Sequence, residues 1–185
     1  DNNLLCLVTQ KEKKAKRNEI IKTAVQLFAE ENNINFFAPE SIKDHNFIKE
    51  IESYKPELIL IYAYGKILPK EIIKIPKFGC LNIHASLLPK WRGASPIQHT
   101  LLNGDKETGI TFFKINDSLD KGDIVLRCRY KIDYNDDAKT LQDKLTLLAS
   151  DNLFNALKLT KDDLNNIKQN DGESSYAHKI TKEKS

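Results

Sequence analysis

The chain has 185 residues, of which 40% are hydrophobic and 30% charged, and its formal net charge is +3. That is enough apolar material for a sizeable buried core and too much for a disordered chain. The charge is well short of the single-sign excess that by itself indicates nucleic-acid binding, and no segment reaches the run of about twenty apolar residues that spans a bilayer.

In chain order, short apolar strands alternate with amphipathic helices. Leu4 to Val8 reads as a strand, and Glu19 to Glu31 as a helix with Ile20, Ile21, Ala24, Val25, Leu27 and Phe28 on one side. Ile34 to Phe37, Leu58 to Ala63 and Leu81 to His84 read as further strands, with helical stretches at Ile42 to Tyr54 and Glu71 to Ile75 between them. Strand and helix in alternation predict parallel βαβ units in an α/β fold, with helices on both faces of the sheet.

From residue 109 the pattern changes. Gly109 to Ile115 and Asp123 to Ile132, joined by a short loop containing Asp120, predict an antiparallel pair near the C-terminal part. A long helix is expected from Ala138 to Lys158, with Leu141, Leu145, Leu148, Leu153 and Leu157 for packing. The adjacent acids Asp136-Asp137 read as solvated turn and helix-start carboxylates. Residues 165 to 185 are polar and end in Lys-Glu-Lys-Ser, which reads as a linker leading out of a domain that covers residues 1 to 164.

Cys6, Cys80 and Cys128 lie far apart and show no paired spacing, so they read as free thiols in a reducing compartment. No ligand spacing for a metal is present. The start lacks the charged-then-apolar pattern of a signal segment, and a soluble intracellular protein is expected. The chain contains no methionine and runs directly from Asp1-Asn2-Asn3 into a buried-type strand, so a truncated N-terminus is expected as well.

The chemistry is concentrated between Cys80 and Asp123. In Cys80-Leu81-Asn82-Ile83-His84 apolar and polar residues alternate, so Asn82 and His84 project on one side near the end of a strand. Ligands of α/β sheets bind outside the carboxyl ends of parallel strands, which places this amide and imidazole at a cleft with the loop after Tyr64-Gly65. A carboxylate beside an imidazole fixes its tautomer and favours its protonated form, while an amide can donate to an oxygen gaining negative charge. Asp120, in a Gly- and Asp-rich turn, is the candidate carboxylate. A strand-end His is also commonly an ordinary hydrogen-bonded residue, and spacing alone does not decide between the two.

The run Asn82-Ile83-His84-Ala85-Ser86-Leu87-Leu88-Pro89-Lys90-Trp91-Arg92-Gly93-Ala94-Ser95-Pro96-Ile97-Gln98, followed by Gly104-Asp105, Glu107-Thr108-Gly109-Ile110-Thr111 and Leu119-Asp120-Lys121-Gly122-Asp123, with the upstream Ala63-Tyr64-Gly65-Lys66-Ile67-Leu68-Pro69, resembles the methionyl-tRNA formyltransferases of the folate-dependent formyltransferase family. The resemblance implies a Rossmann-like catalytic domain, a catalytic trio at Asn82, His84 and Asp120, and 10-formyltetrahydrofolate as co-substrate. It assigns the folate signature to Ser86, Leu87, Leu88 and Pro89, and further pterin contacts to Ile67, Leu68 and Pro69. It implies a charged initiator tRNA as partner, a monomer, no membrane, and a cytoplasmic location, organellar in a eukaryote.

Departures from the family pattern are visible. Ser118 stands where a glycine is usual, and the family's N-terminal strand with its Gly-Thr-Pro turn and its C-terminal tRNA-binding domain lie outside these 185 residues, as expected of a truncated chain. The basic run Lys11-Glu12-Lys13-Lys14-Ala15-Lys16-Arg17 occupies the place of the family's insertion loop. Lys14, Lys16 and Arg17 are its candidate phosphate contacts; a solvated charge run before a helix is the competing reading. Trp91 and Arg92 read more readily as packing residues than as substrate contacts. The same trio would also serve a sugar-nucleotide N-formyltransferase, a glycinamide ribonucleotide formyltransferase or a formyltetrahydrofolate hydrolase, and from another class stands a folate- or nucleotide-binding module without activity.

Overall fold

The computed structural model describes residues 3–14, 20–162 and 166–180, with only the backbone of Lys13, Lys14 and Ile20. The chain divides into two units, Asp1–Glu57 with Lys66–Lys77, and Leu58–Gly65 with Phe78–Ser185.

In the first unit β1 (Leu7–Val8) is followed by β2 (Lys13–Lys14), β3 (Ile20–Ile21), α1 (Ala24–Glu31), β4 (Phe36–Phe37), α2 (His45–Ser53) and α3 (Lys70–Ile73). β1 and β4 pair in parallel, as the alternation predicts, and β2 and β3 pair antiparallel. Ile20 and Ile21 were expected in the first helix and lie instead in a strand, which suits two consecutive β-branched residues. The helix begins at Thr23, whose hydroxyl accepts from the Gln26 amide at 3.1 Å as an N-cap. Asp44 caps α2 in the same way through the Phe47 amide. The apolar face of α2 buries Phe47 and Ile51, and Phe37 meets both Phe47 and Tyr54 edge-on.

The second unit holds β5 (Ile59–Tyr62), β6 (Cys80–His84), β7 (Arg92–Gly93), α4 (Pro96–Leu102), β8 (Glu107–Lys114), β9 (Ile124–Lys131), α5 (Ala138–Asp162) and β10 (Tyr176–Ala177). Its four-stranded sheet has the order β5-β6-β8-β9; β5 and β6 are parallel, and β8 is antiparallel to both its neighbours. One face carries Leu81, Ile83, Ile110, Phe112 and Val125, which pack with Ile97 of α4 and with Leu141, Leu145, Ala149 and Ala156 of α5. Phe112 is fully buried there, and truncating such a side chain to alanine costs about 3–5 kcal/mol. Alternation along the strands turns Asn82, His84, Thr111 and Phe113 to the opposite face.

Asp137 caps α5 by accepting from the Thr140 amide at 2.8 Å. Its neighbour Asp136 is not solvated as expected: its carboxylate is 2% exposed and paired with Lys144 at 2.7 Å. The hydrogen bond from Lys144 holds that carboxyl below the usual range.

The polar segment after α5 also departs from the expected linker. Its described part is folded onto the second unit: Ile167 bridges Ile124, and β10 pairs in parallel with β7. Polar composition misled the reading because this segment docks through hydrogen bonds and through the ion pairs of Asp171 with Arg92 and Lys121 rather than through an apolar face. Among the described residues, no helix is long and apolar enough to cross a membrane.

Candidate active site

The site is built on the end of β6. Leu81 and Ile83 anchor the strand in the core, so its polar alternates share the opposite face. His84 is 7% exposed, and its ring meets Phe113 edge-on at 6.5 Å between centroids. The ring atom Nε2 lies 2.7 Å from the carbonyl oxygen of Trp91. A carbonyl can only accept, so Nε2 carries a proton, and in the neutral form of the ring the lone pair is therefore on Nδ1.

The loop that follows folds back over the same face. Thr111 donates its hydroxyl to the Ser86 carbonyl at 2.6 Å and accepts from the Leu88 amide at 3.0 Å. Ser86 spends its own hydroxyl on the Lys90 carbonyl at 2.5 Å. Ser86 and Leu88 are fully buried and Leu87 half-buried, so much of this tetrapeptide sets the loop's shape. The peptide between Leu88 and Pro89 is cis. Gly109 makes the close approach possible: a Cβ there would lie 2.1 Å from the Cys128 carbonyl oxygen and 2.7 Å from Leu87 Cδ2.

Trp91 is the keystone of the loop, with a left-handed φ of 59°. Its indole Nε1 donates to Asp105 Oδ2 at 2.8 Å, its amide to the Ser175 hydroxyl at 2.9 Å, and its ring packs on His99. Burial alone would push the Asp105 carboxyl up; hydrogen bonds from Trp91 and Asn103 and the nearby Lys90 outweigh it and hold that carboxyl below the usual range. Arg92 is wholly buried, with Nε and Nη2 on Gln169 Oε1 and Nη1 on Asp171 at 2.7 Å. Both residues are therefore packing and framework residues.

Asp120 arrives from the loop between β8 and β9, with φ of 50°. Its Oδ2 accepts from the Gly93 amide at 2.8 Å. The structure thus ties His84 and Asp120 to the two ends of one segment, Trp91-Arg92-Gly93, and forms no direct hydrogen bond between them among the described residues. Gly122 is required in the same loop, because a Cβ there would lie 1.5 Å from the Lys114 carbonyl oxygen.

Of the remaining candidates, Ile67, Leu68 and Pro69 belong to the first unit, where Ile67 is 83% exposed and Pro69 is the N-cap of α3. Lys16 and Arg17 lie outside the described residues, and only the backbone of Lys14 is described. Sequence reading did not find Gln169, Asp171 or Ser175, and it placed Asp105 in the family motif without a role. The available signal was Arg92 itself, a guanidinium inside a segment that packs, which needs buried acceptors from elsewhere in the chain. Among the described residues no group of three or more His, Cys, Asp or Glu could hold a metal ion. An amide and an imidazole on one strand face, with a carboxylate held alongside, can stabilise an oxyanion and move a proton.

Residues 1–157 match the family model described as formyl transferase. The chain belongs to the formyl transferase family. A curated methionyl-tRNA formyltransferase of Prochlorococcus marinus (strain MIT 9312) is 46% identical over 166 residues, 89% of this chain and 51% of the relative. One from Caldanaerobacter subterraneus subsp. tengcongensis is 44% identical over 184 residues, 98% of this chain and 60% of the relative. The chain therefore spans only about half to three-fifths of the length of these relatives.

Among solved structures, phosphoribosylglycinamide formyltransferase from Anaplasma phagocytophilum superposes with a TM-score of 0.73 at 19% identity, over 96% of this chain and 87% of that one. The formyltransferase PseJ from Anoxybacillus kamchatkensis, solved with a formamido sugar nucleotide and tetrahydrofolate, gives 0.66 at 22% identity, over 94% and 85%. At these identities the likeness is one of fold, the mixed α/β formyltransferase fold expected from the sequence.

Proposed function

We propose that the gene product containing this chain transfers a formyl group from 10-formyltetrahydrofolate to the amino group of methionyl-initiator tRNA, as a cytoplasmic monomer. The observation that carries the catalytic part is the tethering of the His84 ring and the Asp120 carboxylate to opposite ends of Trp91-Arg92-Gly93, with Asn82 on the same strand face as His84. The tRNA acceptor is supported by the identity to relatives named methionyl-tRNA formyltransferase.

In this reading the α-amino nitrogen attacks the formyl carbon, and the C=O electron pair moves onto oxygen to give a tetrahedral intermediate. Asn82 donates to that oxyanion through its side-chain amide, a contribution of about 2.7–4 kcal/mol for one such donor. His84 takes the proton from the attacking amine on Nδ1, and the Asp120 charge stabilises the imidazolium so formed. The C–N bond to the folate then breaks, the proton passes to the leaving nitrogen, and a formamide and tetrahydrofolate result.

Ser86, Leu87, Leu88 and Pro89, and in the first unit Ile67, Leu68 and Pro69, take the folate-contacting role by family resemblance. Lys14, Lys16 and Arg17 take the phosphate-contacting role in the same way.

The test offers 10-formyltetrahydrofolate to the full-length gene product with methionyl-initiator tRNA, with a sugar-nucleotide amine, or with water alone. Formylation of the tRNA is expected. Turnover confined to the sugar amine or to water would replace the tRNA reading by a sugar N-formyltransferase or a hydrolase, and no turnover with any acceptor would leave a binding module.

A further inference from the structure

Three hydrogen-bonding systems meet at Gln169, and together they close a ring around the segment that holds the site. Its carboxamide oxygen accepts from Arg92 Nε at 3.0 Å and from Arg92 Nη2 at 2.8 Å. Its carboxamide nitrogen donates to the carbonyl oxygens of Asp120 and Gly122, both at 2.8 Å. Every hydrogen-bonding direction of a primary amide is thereby used: two lone pairs on one side, two N–H groups on the other. The ring closes through Asp120 Oδ2, which accepts from the Gly93 amide at 2.8 Å, the residue next to Arg92.

This arrangement bears on a loop that needs external support. Asp120 sits at a φ of 50°, a conformation that costs an L-residue free energy unless its surroundings impose it. Gly122, two residues on, approaches the Lys114 carbonyl too closely for any side chain. The carbonyls of both residues point to the one amide nitrogen. Gln169 is itself fixed by Arg92, which is fully buried and further tied to Asp171, while β10 pairs with β7 immediately after.

We propose that Gln169 is a positioning residue for catalysis: through the Asp120 and Gly122 carbonyls it sets where the Asp120 carboxylate stands relative to His84. The polar segment after α5 is thus a working part of the active site. This rests on the reading of Asp120 as catalytic. The amide is needed for its two-sidedness. A carboxylate at position 169 would keep the bonds from Arg92 and lose both donors to the loop, and would set a negative charge against two carbonyl oxygens.

The experiment compares Gln169→Glu, Gln169→Met and Asp120→Asn with wild type in the full-length gene product. It reads kcat and KM for formyl transfer, the unfolding midpoint, and hydrogen exchange at the Gly93 amide. For Gln169→Glu the expected result is a kcat lower by about ten- to a hundred-fold, the scale of a small misplacement of a catalytic group, with both KM values little changed. The Gly93 amide should exchange faster while the unfolding midpoint stays near wild type. Gln169→Met keeps the shape without any polar atom and should show the same loss of kcat if Gln169→Glu does not fold. Normal kcat and normal Gly93 protection in a folded position-169 variant, beside a severely impaired Asp120→Asn, would overturn the proposal and leave the catalytic reading standing. A near-normal Asp120→Asn would overturn the catalytic reading itself.

Discussion

His84 and Asp120 are held by the two ends of one tripeptide: His84 Nε2 donates to the Trp91 carbonyl at 2.7 Å, and the Gly93 amide donates to Asp120 Oδ2 at 2.8 Å. The tripeptide between them is locked by the buried Arg92 and by pairing with β10. Residues 36 positions apart in sequence are thereby set by a third segment rather than by each other. Anything that shifts Trp91-Arg92-Gly93 shifts both.

Acid should loosen this frame before it unfolds the sheet. The hydrogen bond from Arg92, with a smaller one from Lys121, holds the Asp171 carboxyl below the usual range. A carboxyl with a depressed folded-state pKa stabilises the fold fully above its unfolded value, about 3.9, and loses that contribution as the pH falls through the lower folded value. Asp171→Asn should therefore be less stable than wild type at pH 7 and converge with it as the pH falls through the lowered folded-state value. Thermal midpoints of both proteins across that range test this, and a constant offset at every pH would argue against the ion pair.

Gly122→Ala should lower the unfolding free energy by about 1–3 kcal/mol or more, since the added methyl meets backbone at 1.5 Å and no side chain can give way. Denaturant midpoints measure the loss. The same variant should impair turnover beyond its effect on stability, because the displaced loop carries Asp120. A variant with wild-type midpoint and wild-type turnover would show that the loop accommodates the methyl freely.

Much of this was legible in the sequence. The alternation in Cys80-Leu81-Asn82-Ile83-His84 requires Asn82 and His84 to share a face once Leu81 and Ile83 are in the core, and the structure has them so. β8, β9 and α5 fall within a few residues of their expected bounds, because period and length agree over eight or more residues. Ile20-Ile21 was misassigned because periodicity over a short apolar run does not separate helix from strand. The docked tail was missed for a different reason. Its attachment runs through Gln169, Asp171 and Ser175, whose partners outside the segment lie 47 to 86 residues away, and no local pattern encodes those pairs.

The basic run gives a prediction independent of the site. If Lys13, Lys14, Lys16 and Arg17 neutralise phosphates, replacing all four with glutamine should weaken tRNA binding and flatten its salt dependence by roughly 0.7 to 0.9 per lost contact on the logarithmic plot. Folate affinity should hardly move. Equal slopes for variant and wild type would return the run to a solvated surface segment.

The central claim is that His84 moves the proton in formyl transfer, and the most direct measurement is the single-turnover rate and the folate affinity of His84→Ala in the full-length gene product. Loss of a positioned acid-base group should lower the rate by about a hundred- to ten-thousand-fold and leave folate dissociation near wild type. A rate within a few-fold of wild type, or a rate loss matched by an equal loss of folate affinity, would contradict the account.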